Sequence, residues 1–260
     1  MICKLSFEEY SRVEDLLRRR CGVAALEWLH LLDSVKKKCA VYVEDDEGLK
    51  GCLILHKGIN VFITTDSRTT LRKFLEVLPK EKEYAFRCAE WMAPMVMEKF
   101  KPRAEGYAGI ILLTYYTDRN KFRKYTDPRH FVRPLSEDTA EEILQYTKRN
   151  FTLEFIRERI RRGCFYGVYD RSELVSWVGT LWESNEACEV GFAYTREEHR
   201  GKGLIKVVTS VVTGKVLQKG KIPILHTVET NTSAIKAFES LGYRLGAREW
   251  AYFSAGSSKK

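Results

Sequence analysis

The chain has 260 residues, enough for one large domain or two of ordinary size, each with its own core. A composition of 44% hydrophobic and 30% charged residues reads as soluble and globular and excludes a disordered chain, and no apolar run approaches the length that spans a bilayer. The net charge of +9 is scattered over both halves and matched nearby by acids, which argues against a nucleic-acid surface and favours attraction of a polyanionic cofactor.

In chain order, apolar spacing predicts helices over about 6–20 and 23–38. Their ends carry Arg18-Arg19-Arg20 and Lys36-Lys37-Lys38, where positive charge suits the helix dipole. Strand runs follow at Ala40–Val43 and Gly51–Leu55, and the turn Asp45-Asp46-Glu47-Gly48 between them predicts a hairpin. A strand from Asn60 to Thr64 leads to a helix over about Ser67–Leu78. A helical patch near 90–100 precedes the β-prone run Gly109–Tyr116. No catalytic constellation stands out in this half. The stretch Asp118–His130 is polar, basic and broken by Pro128, and reads as a linker or crossover. It divides the chain into 1–125 and 130–255.

The second half opens with a strand at Phe131–Leu135. Ser136 then caps a helix running to about Asn150. A helix over Leu153–Arg162 ends at Gly163. Strands are predicted at Cys164–Tyr169, Leu174–Trp182 and Ala187–Thr195. The loop Arg200-Gly201-Lys202-Gly203 then opens a helix with Leu204, Val207, Val208, Val211 and Val212 at helical spacing. A strand at Ile222–Val228, a helix over Asn231–Leu241 stopped by Gly242, and a strand over Tyr243–Phe253 complete the half.

The seven cysteines fall at no metal-site or redox-motif spacing, so they read as reduced, buried thiols of an intracellular protein, and no metal is expected. The opening Met1–Glu9 lacks a secretory apolar run and carries acids, and Gly256–Lys260 reads as a solvated tail without a peroxisomal signal. A cytoplasmic location follows as the expectation.

The glycine loop carries the chemistry. Glycine permits a tight turn and lets a phosphate approach without a Cβ in the way. The helix that follows points unpaired N–H groups and its positive dipole end at that phosphate. Two further segments stand in order around it: Glu189-Val190-Gly191-Phe192-Ala193-Tyr194-Thr195 upstream, and Asn231-Thr232-Ser233-Ala234 through Gly242-Tyr243 downstream. Together the three resemble the GNAT superfamily of acyl-CoA-dependent N-acyltransferases. Its pyrophosphate pattern, Arg/Gln-x-x-Gly-x-Gly/Ala, is met by Arg200 and Gly203, with Ile205 at the last position. Leu174-Val175-Ser176-Trp177, Glu189 eleven residues before Arg200, and His226 five before Asn231 are similar to glycine N-acyltransferase and its paralogues.

The resemblance implies an α/β fold with a mixed, mostly antiparallel sheet flanked by helices. It implies acetyl-CoA or another acyl-CoA as co-substrate, and a mitochondrial location as the alternative. The strand–helix order of the first half suggests a degenerate copy of the same fold. By the same resemblance, the backbone of Ala193, Tyr194 and Thr195 holds the pantetheine arm and the thioester carbonyl. Arg200, Gly201, Lys202, Gly203, Leu204 and Ile205 hold the pyrophosphate, and Asn231 both caps its helix and touches the cofactor.

Glu189 is the candidate general base, directly or through a water. Strand alternation places it on one face with the small residues Gly191 and Ala193, and burial in a central strand makes a carboxylate more basic. The alternative is an ion-paired Glu189 bonded to Arg248 or Lys202. His226 and Trp177 are the substrate-side candidates, although Trp177, Trp182 and Phe192 suit a core better than an acceptor pocket.

Two positions depart from the family. Ile205 replaces a small residue, and Phe238 stands where many members have a tyrosine thought to protonate the leaving thiolate. A thiol with a pKa of about 8.5 leaves without a dedicated acid. The leading expectation is transfer to a small amine or amino acid, glycine-like by resemblance. The rivals are a protein or peptide acceptor and an acyl-CoA-binding regulatory protein without turnover.

Overall fold

A computed structural model describes residues 1–34, 38–101, 108–146 and 151–252. Two compact units emerge. One holds Met1–Leu113 together with residues 246–252, and the other holds Thr114–Leu245.

The first unit begins with β1 (Ile2–Leu5), a 3-10 turn (Phe7–Val13), α1 (Glu14–Cys21) and α2 (Ala24–Ser34). Then come β2 (Cys39–Asp45), β3 (Leu49–His56), β4 (Asn60–Thr65), α3 (Arg68–Val77), β5 (Ala85–Cys88) and α4 (Ala93–Lys99). Its sheet runs β1-β2-β3-β4-β5 and continues into β12 (Arg244–Tyr252). Alternation in β3 and β4 sends Leu53, Val61 and Ile63 to a core with Leu71, Phe74 and Phe86. It sends Ile54 and Phe62 to a second core with Leu17 and Trp28, so both faces of the sheet are buried. β12 is held there by its ladder to β5, with Trp250 opposite Cys88 and Tyr252 opposite Phe86. It is also held by a buried charge triad: the Arg87 guanidinium on β5 donates to Glu27 at 2.7 Å and to Glu249 on β12.

The chain enters the second unit through β6 (Ile110–Tyr116). β7 (Val132–Pro134), α5 (Ala140–Tyr146), α6 (Leu153–Arg162), β8 (Tyr166–Asp170), β9 (Glu173–Glu183) and β10 (Ala187–Thr195) follow. α7 (Leu204–Gln218), β11 (Ile222–Val228) and α8 (Thr232–Ser240) close it. The sheet order is β6-β11-β10-β9-β8-β7, with β10 and β11 parallel and β7 through β10 antiparallel. The two halves of the chain, β1 to β6 and β7 to β12, thus pass through one order: strand, two helices, three strands, helix, strand, helix, strand. The similarity expected of the first half is therefore one of element order.

Several boundaries differ from the sequence reading. β1 and β5, each four residues long, were too short to show a period. Residues 7–13 of the first predicted helix wind as a 3-10 turn. The presumed linker 118–130 belongs to the second unit. Arg123 N donates to Leu241 O at 2.9 Å, and Tyr125 N donates to Ser210 Oγ at 2.8 Å. Gly242 permits this approach, since a Cβ there would stand 1.9 Å from Lys121 O and its φ is +84°. Residues 246–252, read as part of the second half, lie in the first unit, where Trp250, Ala251 and Tyr252 pair with β5. Lys36, Lys37, Asn150, Phe253 and the tail 256–260 lie outside the described residues.

His56, at the end of β3, is 7% exposed, and its Nε2 meets no partner among the described residues. Burial, aided by Lys57 and Lys38, pushes its pKa down from 6.5 to about 4. The unfolded chain therefore binds a proton that the folded chain refuses. Stability from this group is complete above about pH 6.5 and is lost as pH falls toward 4. Denaturant titrations are expected to show a loss of order 3 kcal/mol over that window, and His56→Gln should flatten it.

Candidate active site

The site begins where two parallel strands part. β10 pairs with β11 at Ala187↔Ile222, Cys188↔Pro223 and Glu189↔Ile224, and the ladder ends there. Pro223 brings no N–H to it. β10 continues along β9 with a one-residue bulge, since Gly191 stands opposite Gly179 but Tyr194 stands opposite Trp177. Phe192 takes the extra position at φ +51°, a conformation that costs a non-glycine residue about 1–2 kcal/mol.

The bulge reverses the strand's alternation. Phe192 and Tyr194 turn toward α5 and α6 and pack on the cluster around Trp177 and Phe165, while Ala193 is exposed. The expected pairing of Ala193 with Glu189 on one face therefore fails at the bulge. Gly191 does share that face: a Cβ on it would stand 3.9 Å from Glu189 Oε1. The gap between the strands widens into a cavity of about 810 Å³, bounded by Glu189, Trp177, Leu225, Phe238 and the glycine loop.

The loop is built for an anion. Gly201 and Gly203 both sit at φ +77°, and Gly203 immediately precedes α7. Lys206 N and Val207 N already reach Gly203 O at 3.1 and 3.2 Å, which leaves Leu204 and Ile205 as the opening N–H groups of the helix. No acid occupies that first turn. α3, the counterpart in the first unit, is closed instead: Ser67 Oγ accepts from Thr70 N at 3.2 Å, and Asp66 precedes it.

Arg200 lies across the loop's entry. Its Nε donates to Thr195 O at 3.2 Å and its guanidinium meets Glu197 at 3.2 Å, both in solvent. Lys202 Nζ is 3.4 Å from His199 Nδ1. Asn231 caps α8, its Oδ1 accepting from Ala234 N at 3.2 Å and from Ser233 Oγ at 3.0 Å.

Glu189 is 8% exposed. Neither Arg248 nor Lys202 is its partner; Arg248 reaches Glu90 at 3.4 Å. His226 takes that place, with Nδ1 and Glu189 Oε1 3.0 Å apart and both side chains about nine-tenths buried. The register explains the pairing. Ile224 is the ladder partner of Glu189, and His226 stands two residues further along the same face of β11, where the strands separate.

The sequence model of the FR47-like protein family matches residues 165–251. No curated protein matches. Among solved structures, a Drosophila protein is similar at a TM-score of 0.73 and 14% identity over 99% of each chain. A GCN5-related N-acetyltransferase from Sphaerobacter thermophilus is similar at 0.65 and 12% identity, over 96% of this chain and 94% of that one. The fold is the GNAT fold. A tandem GNAT protein from the clavulanic acid biosynthesis pathway is similar at 0.58 and 12% identity over 96% of each chain, which fits the repeated element order.

Within this GNAT unit, the positions singled out from the sequence converge on one cleft. Glu189, Ala193, Tyr194, Thr195, Arg200, Gly201, Gly203, Leu204, Ile205, His226, Asn231 and Trp177 all border it; Lys202 stands on the loop beside it. Trp177 is both core and wall, 1% exposed between Tyr146 and Tyr194. Phe192 also lines the cleft, which the sequence reading gave to the core. Phe238 is buried against Tyr115 and Tyr243, and the Tyr243 hydroxyl is taken by Thr213 Oγ1 at 2.7 Å.

Sequence reasoning missed Tyr125. A Cβ on Gly203 would stand 3.7 Å from its hydroxyl, and the Lys206 ammonium lies 4.1 Å over its ring. Its place in an apparent linker hid it. Tyr146 and Phe151, aromatic residues flanking a helix–helix connection, were missed as well.

Gly203→Ala forces a Cβ onto a left-handed residue beside Tyr125. The strain of about 1–2 kcal/mol should lower the stability of the folded protein by that amount in denaturant titrations, while the fold persists by circular dichroism.

Proposed function

We propose that the second unit is an N-acyltransferase that moves an acyl group from acyl-CoA to the amine of a small acceptor. The observation that carries this is the buried Glu189–His226 pair at the point where β10 and β11 part, beside an open helix N-terminus. Backbone N–H groups of Gly203, Leu204 and Ile205 suit a pyrophosphate, with Arg200 and Lys202 supplying charge around it. Beyond Glu189, the edge of β10 faces the gap rather than β11, so its amides are available to the pantetheine arm and to a polarised carbonyl oxygen. Acyl-CoA supplies an activated carbonyl and a good leaving group.

Glu189 then receives the proton of the attacking amine, directly or through one water. The Nδ1–H of His226 donates to Glu189 Oε1 and fixes the carboxylate's direction. Phe238 cannot protonate the departing sulfur, and a thiol of pKa about 8.5 leaves without that help.

A second reading, acyl-CoA binding without turnover, draws its support from Phe238 alone. One assay separates the two. Glu189→Gln keeps the size of the side chain and removes its basicity; it should lower kcat for thiol release by about 10²–10⁴ and leave the Kd for acyl-CoA unchanged. Unchanged turnover removes Glu189 from the mechanism. Tight acyl-CoA binding with no thiol release across a panel of amines favours the non-catalytic reading.

A further inference from the structure

The cleft has a wall that CoA binding leaves unexplained. Five aromatic residues border the cavity on the α5–α6 face of the sheet: Tyr146, Phe151, Trp177, Phe192 and Tyr194. Each touches another ring of the set. Trp177 lies 4.9 Å from Tyr194, Tyr146 lies 5.1 Å from Tyr194, and Phe151 lies 5.1 Å from Phe192. Two of them depend on a backbone feature that a simpler strand would lack. The bulge at Phe192 brings Phe192 and Tyr194 to this face together, and the ladder sets Tyr194 against Trp177.

Glu189 lies on the same face: a Cβ on Gly191 would stand 3.9 Å from its Oε1, Gly191 is the ladder partner of Gly179, and a Cβ on Gly179 would run into the ring of Phe165, a member of the same cluster. A group that takes the amine's proton must be within hydrogen-bond reach of that nitrogen. The acceptor's nitrogen therefore sits on the aromatic side, and the rest of the acceptor lies against the rings.

From this we infer that the acceptor is a primary amine bearing an aromatic ring on a short alkyl arm, and not glycine. The inference rests on the acyltransferase reading of the same cleft. An aryl group stacks or meets edges with several rings at once. Its ammonium, before it gives up the proton, is drawn both by the Glu189 carboxylate and by aromatic faces. Glycine offers nothing to the rings and brings a second carboxylate next to Glu189, where like charges repel.

The test uses the full chain with acetyl-CoA and three acceptors: phenethylamine, glycine and a lysine-containing peptide. Phenethylamine should show a kcat/KM for thiol release at least about tenfold above the other two. Phe151→Ala should raise the KM for phenethylamine about tenfold and leave the KM for acetyl-CoA unchanged. Should that variant fail to fold, Phe151→Leu and Tyr146→Leu test the same wall with less volume lost.

Higher kcat/KM with glycine or the peptide overturns the inference and leaves the acyltransferase reading standing. Calorimetric titration of phenethylamine into the protein with CoA present separates the remaining cases. Binding without thiol release supports the aromatic site and sinks acyl transfer. No binding of phenethylamine overturns the inference.

Discussion

Everything at the site depends on β10 and β11 ceasing to pair after Glu189. Parallel strands normally satisfy each other's backbone groups along their full length, and a buried amide left unpaired costs free energy. Here the ladder stops after three pairs, one of them to a proline. The unpaired edge, the cavity and the meeting of Glu189 with His226 all arise from that stop. Had the strands stayed together, the two side chains would be neighbours in a closed sheet with no room for a substrate.

The first unit shows how little separates an open helix N-terminus from a capped one. The first half of the chain, β1 to β6, passes through the same elements in the same order as the second, β7 to β12. Its β4 and β5 pair at four positions, and β4 reaches α3 across only Asp66 and Ser67. The Ser67 side chain then occupies the amide that an anion would need. The second unit spends eight residues, 196–203, on the same junction and uses two left-handed glycines. Loop length and capping chemistry, rather than architecture, mark the difference.

Much of the cleft was legible in the sequence because its signals are local. A glycine loop before a helix, an acid on the preceding strand and an asparagine opening the next helix need only spacing to be read. Signals that depend on register were not. The bulge falls on Phe192, a residue with no preference for positive φ, so nothing announced that Tyr194 rather than Ala193 would join Glu189. The Glu189–His226 pair required the partner of Ile224 to be known. Tyr125 acts across the fold from a stretch whose own composition reads as a connector. The last strand carried good β signals, yet strand signals do not name the neighbour, and β12 completes the sheet of the other unit.

That last strand shapes the order in which the protein can mature. Synthesis runs from the N-terminus, and domains generally fold as they emerge. The first unit cannot do so fully. Its sheet lacks β12, and the Arg87 guanidinium lacks Glu249, until the whole second unit has been made. During that interval β5 presents an open edge and a half-neutralised buried cation, a condition that invites mispairing. Completion of the first unit's sheet thus waits on the ribosome finishing the second unit, so the last strand to be made is one that the first-made sheet needs.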